Sequence, residues 1–220
     1  TFLVNWASVA TNVFEGLTYR GPDMKLVPGL AESWEELDEG KRIRFTLRQG
    51  VTFQNGEPFT AEAVKFTFDR LLGEEGGKGP QQSNYTSIAE VQVIDDKTVD
   101  FILKEPDPVL LTKLAGYGAM IIPPKYYAEV GDAEFGMKPI GTGPFKFKEW
   151  KKGSYIHLVK NENYWLKGKP NIDEIYWQII PDAAARAVAY ETGKVDVLTG
   201  GSVDVYDVAR LSKLPNTCMT

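Results

Sequence analysis

The sequence predicts a mixed α/β fold of the α+β kind, and three stretches predict it. Residues Pro28 to Leu72 read as strand, turn, strand, turn and helix. Val91 to Leu103 reads as a β-hairpin. From Phe145 onward, strand-like runs precede a capped helix at Asp182 and one further short apolar run. Periods of 2 and of 3.6 residues therefore occur in one chain, the pattern of a sheet packed against helices.

Taken in order, Phe2-Leu3-Val4 reads as a short strand. Val9 to Leu17 follows as a short helix with Val9, Val13, Phe14 and Leu17 on one side, weakened by Gly16. In the next stretch Ile43, Phe45 and Leu47 alternate with Arg44, Thr46 and Arg48, as in a half-buried strand. Asp38-Glu39-Gly40-Lys41 turns into that strand, with Gly40 supplying a positive φ. Val51 and Phe53 start another run that Asn55-Gly56 turns. Thr60 is placed as an N-cap, Glu62 suits the first turn, and Ala61, Val64, Phe68 and Leu71 recur at helical spacing up to Gly73.

Gly73 to Pro80 holds glycines around Lys78 without the order that a phosphate loop needs, so it reads as a surface loop. Val91, Val93, Val99, Phe101 and Leu103 flank Asp95-Asp96, which read as turn formers and not as an acid–base pair. Asp107-Pro108 opens a helix ending at Gly116, and Pro123-Pro124 opens another. The two glycines of Gly141-Thr142-Gly143-Pro144-Phe145 permit a tight turn and close approach of two backbones. His157 reads as a packed or surface side chain. Ile172 to Ile180 reads as a long strand, Asp182 to Gly193 as a capped helix, and Val195 to Leu198 as a strand completing an α/β crossover.

Composition narrows the function. The 220 residues are 43% hydrophobic and 25% charged, with a net charge of -5. Nothing in that balance offsets phosphate charge, so nucleic acid is not an expected partner. No run approaches the roughly 18 apolar residues of a membrane span. One cysteine, Cys218, excludes an internal disulfide framework, and with His157 as the one histidine no soft-ligand metal site is expected. No cofactor motif is present. A glycoside or peptide hydrolase is the reading from another class. It needs a carboxylate pair at about 5 to 9 Å, and no spacing singles one out.

The stretch A-E-S-W, R-F-T-L-R-x-G-V-x-F and N-G-E-P-F-T-A-E-A-V-x-F resembles the large solute-binding proteins of ABC importers, of the oligopeptide, dipeptide and nickel type. V-F-E-G-L-T-Y, P-I-G-T-G-P-F, N-x-x-Y-W (Asn161 to Trp165) and Y-E-T-G-K-V-D-V-L extend the resemblance from Val9 to Leu198. It implies a periplasmic-binding-protein-like lobe on a mixed sheet, made of residues 1–19 and 140–220, with an inserted smaller α+β domain at 20–139. It implies capture of a peptide, or alternatively a nickel chelate, an oligosaccharide or another small solute, closure at a hinge, and delivery to an ABC permease in the membrane, from the periplasm or from a lipoprotein anchored outside a prokaryotic cell.

The resemblance also places Trp6, Ser8, Asn12, Tyr117 and Thr142 near one ligand-binding surface. The acidic residue with which some relatives hold a peptide amino terminus has no counterpart here, and Trp6 stands in that neighbourhood. Thr217 to Thr220 reads as the start of a strand crossing to a second lobe. That lobe is expected to lie outside this sequence, as is whatever preceded Thr1. Self-association through the uncovered wall is expected in its absence.

Overall fold

The computed structural model describes residues 2–74, 79, 81–199, 201–215 and 217–218, with backbone alone for 2–6. By contacts the chain forms two compact units, 1–147 with 159–174, and 148–158 with 175–220. Their boundaries differ from the 19/20 and 139/140 positions expected from the sequence.

The first unit is built on a four-stranded antiparallel sheet in the order β3-β4-β6-β5, formed by β3 (Ala31–Leu37), β4 (Arg42–Leu47), β5 (Ile88–Asp95) and β6 (Thr98–Leu103). Burial alternates along β4, with Ile43, Phe45 and Leu47 inward. Helix α2 (Ala61–Leu72) covers that face with Ala61, Val64 and Phe68. Phe101 stands edge-on to Phe45 at 5.2 Å and to Phe68 at 4.8 Å, so sheet and helix share one aromatic core. On the opposite face Asp100 is buried under a bidentate Arg44, both bonds 2.7 Å, with Arg42 at 3.5 Å. A small ribbon of β1 (Thr18–Arg20) and β2 (Leu26–Pro28) leads into this sheet.

Helix α1 (Phe2–Val13) replaces the strand expected at Phe2–Val4. Ala7, Ala10 and Val13 are buried at three-residue spacing, so the helical period extends further toward the N-terminus than the apolar triplet suggested, and the helix stops four residues before Leu17. Thr60 occupies the N-cap of α2, but its side chain makes no capping bond. Asp38 and Glu39 share positive φ with Gly40 in the β3–β4 turn. The Asp107 carboxylate accepts the Val109 amide at 3.1 Å, while the helix itself, α3, spans Leu110–Leu114. Lys78 and its neighbours 75–77 and 80 lie outside the described residues.

Helix α4 (Pro124–Met137) receives its cap from a distant segment. Asn55 Oδ1 accepts the Glu57 amide, Gly56 turns at φ 89°, and the Glu57 carboxylate accepts the Lys125 and Tyr126 amides at 3.0 and 3.3 Å. Those are first-turn amides with no partner inside the helix. Glu57→Ala is therefore expected to destabilise the chain by about 1 kcal/mol, read as a lower urea midpoint, with Glu57→Gln intermediate. At Gly131 (φ 74°, ψ 175°) α4 breaks into two segments, in a region of backbone space that is essentially glycine's own.

A three-stranded sheet in the order β7-β8-β9 follows, of β7 (Phe145–Lys151), β8 (Tyr155–Lys160) and β9 (Glu174–Gln178). The long strand expected over 172–180 shrinks to these five residues, and Ile172 and Ile179 beyond it are exposed. In the second unit His157 is buried and stacked on Tyr176 at 4.0 Å. Asp182 caps α5 (Ala183–Glu191) by accepting the Ala185 amide, as its sequence predicts. The strand expected at Val195–Leu198 does not form. Val197 is 74% exposed and no ladder partner exists among the described residues, so the crossover is absent. Helix α6 (Val205–Leu211) ends the unit. Thr217 and Cys218 are not in a strand, and 219–220 lie outside the described residues.

Candidate functional site

The polar centre of the first unit is Glu15, 2% exposed, two residues past the end of α1 and inside the apolar run Val13 to Leu17. Four donors converge on its carboxylate. Tyr164 Oη donates to Oε1 at 2.6 Å, and Thr142 Oγ1 and Trp165 Nε1 donate to Oε2 at 2.8 and 2.9 Å. The Tyr19 side chain supplies the fourth hydrogen bond. Burial pushes the Glu15 carboxyl above the ordinary carboxylate range, and the four donors pull it back. Burial first, and the Glu15 charge second, push both the Tyr19 and Tyr164 phenols up, so they remain protonated donors. The Arg48 guanidinium lies over the Trp165 ring at 4.6 Å and donates to the Gly29 carbonyl at 2.7 Å.

Beside this hub, the segment Gly141–Phe145 runs against the end of α1. The Gly143 amide donates to the Val13 carbonyl at 2.9 Å, satisfying a helix-end acceptor. A Cβ on Gly141 would lie 2.1 Å from the Val13 carbonyl oxygen, and one on Gly143 would lie 2.7 Å from that of Asn12. Neither glycine has a positive φ, so closeness and not backbone conformation requires them. Gln54, in the loop between β4 and α2, holds the same segment from its other side. Its Nε2 donates to the Phe145 carbonyl at 2.7 Å and the Gly143 carbonyl at 3.1 Å, and its amide donates to the Gly141 carbonyl at 2.9 Å. Asn161, buried, donates to the Gly143 carbonyl at 3.0 Å.

Of the residues singled out in the sequence, Thr142 is buried and its hydroxyl is held by Glu15. Its segment does reach α1, beside Asn12. Ser8 and Asn12 lie half-buried one turn apart on α1, with Asn12 Nδ2 donating to the Ser8 carbonyl at 2.8 Å. Tyr117 belongs to a single 3-10 turn, Tyr117–Ala119, that packs against α1. Trp6 is on α1, and its side chain lies outside the described residues. Sequence reasoning missed Glu15, Tyr19 and Gln54 as parts of the arrangement. The available signal was a carboxylate embedded in the apolar run Val13 to Leu17. Among the described residues no cluster of three or more His, Cys, Asp or Glu is placed to hold a metal ion.

What this geometry offers is a fixed, internally satisfied polar arrangement. The hub's donors and acceptor are matched to one another, and they lock α1, the Tyr164–Trp165 segment and the Gly141–Phe145 segment in one arrangement.

Comparison with known proteins gives the chain a family. Residues 25–217 match the family model described as bacterial extracellular solute-binding proteins, family 5 Middle. The chain is 34% identical over 187 residues to the glutathione-binding protein GsiB of Salmonella typhi, an alignment covering 85% of this chain and 36% of that protein. Among solved structures it is similar to the PBP AgaA from A.tumefacien R10 in complex with agropinic acid. There the TM-score is 0.89 at 33% identity, over 96% of this chain and 42% of that one. It is also similar to the oligopeptide-binding protein AppA from Bacillus subtilis in complex with a nonapeptide. That match has a TM-score of 0.83 at 32% identity, over 93% of this chain and 41% of that one. The chain thus spans about a third of the length of the curated relatives it matches. By the extent of the family match, the chain belongs to the bacterial extracellular solute-binding proteins of family 5.

Proposed function

We propose that this chain supplies one wall of the capture cleft of an ABC-importer solute-binding protein, taking a peptide or a similar small solute and passing it to a membrane permease. The observation that carries the reading is the family match over residues 25–217. Among the relatives named above, one is a glutathione-binding protein, one is in complex with agropinic acid and one with a nonapeptide. Capture and release, not turnover, is the function. Ser8, Asn12 and Tyr117, with Trp6 on the same helix, form the solute-facing wall, and Thr142 fixes that wall through Glu15.

In the whole protein, residues 1–19 and 140–220 belong to one ligand-binding lobe and 20–139 to an inserted domain, and a second lobe from outside this chain closes the cleft. Recovery of 20–139 as a protected fragment in limited proteolysis is the expected result for that division, and rapid cleavage inside 20–139 would contradict it. The protein works in the periplasm or at the outer face of the membrane on a lipid anchor, and this chain alone self-associates through its uncovered wall. Mass spectrometry of the solute retained by the whole protein is the test. A peptide or comparable polar solute at near-stoichiometric amount is expected. Steady turnover of peptides or glycosides by the protein overturns the reading.

A further inference from the structure

The second unit presents a basic, aromatic hairpin tip in an otherwise acidic protein. Between Lys148 and Lys152 there are three lysines and one glutamate, whereas the chain as a whole carries -5. Lys148, Trp150, Lys151 and Lys152 are all exposed, Trp150 at 42%. Lys148 and Trp150 are two residues apart on β7 and so share a face. The Lys152 ammonium stands over the Trp150 ring at 5.4 Å. Glu149 faces the other way, alongside Lys151, and accepts the Tyr155 hydroxyl at 2.7 Å, so the one carboxylate of the tip lies off the Lys148–Trp150 face. Gly153, at φ 74°, makes the turn that projects the tip.

Lysines on an edge strand guard against edge pairing, and β7 is an edge of its sheet. That role explains the lysines but not an exposed tryptophan among them, which works against it. A half-exposed indole flanked by ammonium groups is suited to the boundary between water and lipid, where the ring sits at headgroup depth and the lysines meet anionic phosphates. The net negative charge of the chain does not forbid this, because at physiological salt charges farther than about 8 Å are screened and the local patch decides.

We infer that the β7–β8 hairpin tip, Lys148 to Lys152, is a contact surface for an anionic lipid bilayer. The inference does not rest on the solute reading, since vesicle binding is measured with no solute present. In co-sedimentation, the chain is expected to partition onto vesicles containing phosphatidylglycerol and not onto phosphatidylcholine alone, with loss at high salt. Each lysine contributes about fivefold, so K148Q/K151Q/K152Q lowers partitioning roughly a hundredfold with no change in the unfolding midpoint. Trp150→Ala lowers it several-fold and removes a vesicle-induced blue shift in tryptophan emission. Lys65→Gln, on α2, leaves partitioning unchanged. Equal partitioning onto neutral and anionic vesicles, or an unchanged triple variant, overturns the inference. So does absence of vesicle binding, including when the tip instead binds an acidic polypeptide.

Discussion

Glu15→Ala is expected to destabilise the chain by about 4 kcal/mol, as large core losses do. The substitution removes the acceptor of Tyr164, Trp165, Thr142 and Tyr19 at once. Each buried donor left without a partner costs on the order of 1–3 kcal/mol. The indole of Trp165 has no alternative, because it can only donate.

Glu15→Gln is expected to cost only about 1 kcal/mol. The amide oxygen serves Trp165 and Thr142, and the amide nitrogen donates to the Tyr164 oxygen. The two variants also separate the charge from the geometry. The folded carboxyl titrates above its usual value of 4.5, so between that value and the folded one the native state holds the extra proton. Stability contributed by this group is fully present below 4.5 and declines as pH rises through the window. Wild type is expected to show that decline in urea midpoints, and Glu15→Gln to lack it. A Glu15→Ala cost below about 1 kcal/mol contradicts the hub.

Gly141→Ala is the second large effect, about 3 kcal/mol. The new methyl meets the Val13 carbonyl oxygen at 2.1 Å and the Phe14 ring at 2.8 Å, and a backbone oxygen at a helix end cannot step aside as a side-chain tip does. The Gly141–Phe145 segment would have to lift off α1, stretching the Gly143 bond to Val13 and the Gln54 bonds together. Gly50→Ala is the comparison. Its φ is +73° with nothing within 4 Å of the added carbon, so only the left-handed backbone is penalised, by about 1 kcal/mol. Urea unfolding of the two variants gives the ratio. Equal costs would show that steric contact with α1 is not what Gly141 serves.

Much of the fold was legible because it is locally encoded. The alternation of Ile43, Phe45 and Leu47, the Asn55-Gly56 turn, the hairpin around Asp95-Asp96 and the Asp182 cap all act within a few residues, and all appear as read. The failures are of two physical kinds. Short apolar runs carry no period of their own, so Phe2–Val4 joined a helix and Val195–Leu198, lacking a ladder partner among the described residues, joined nothing. The other kind is long range. Thr142 and Trp165 lie 127 and 150 positions from Glu15, and Lys125 lies 68 from the Glu57 that caps its helix. The motifs holding these residues were visible one by one. That V-F-E-G-L, G-T-G-P-F and N-x-x-Y-W share a single carboxylate is a fact of three dimensions.

The solute wall is tested most directly by calorimetry of the 220-residue chain beside the whole protein, each titrated with glutathione and with di- to nonapeptides. A small-molecule site buries about 70–90% of its ligand, and one wall leaves much of a solute in water. The account predicts saturable binding by the whole protein for at least one of these solutes, lost on Asn12→Ala or Tyr117→Ala, and weak, unsaturated heats from the 220-residue chain. Tight, saturable binding by the monomeric 220-residue chain would contradict it.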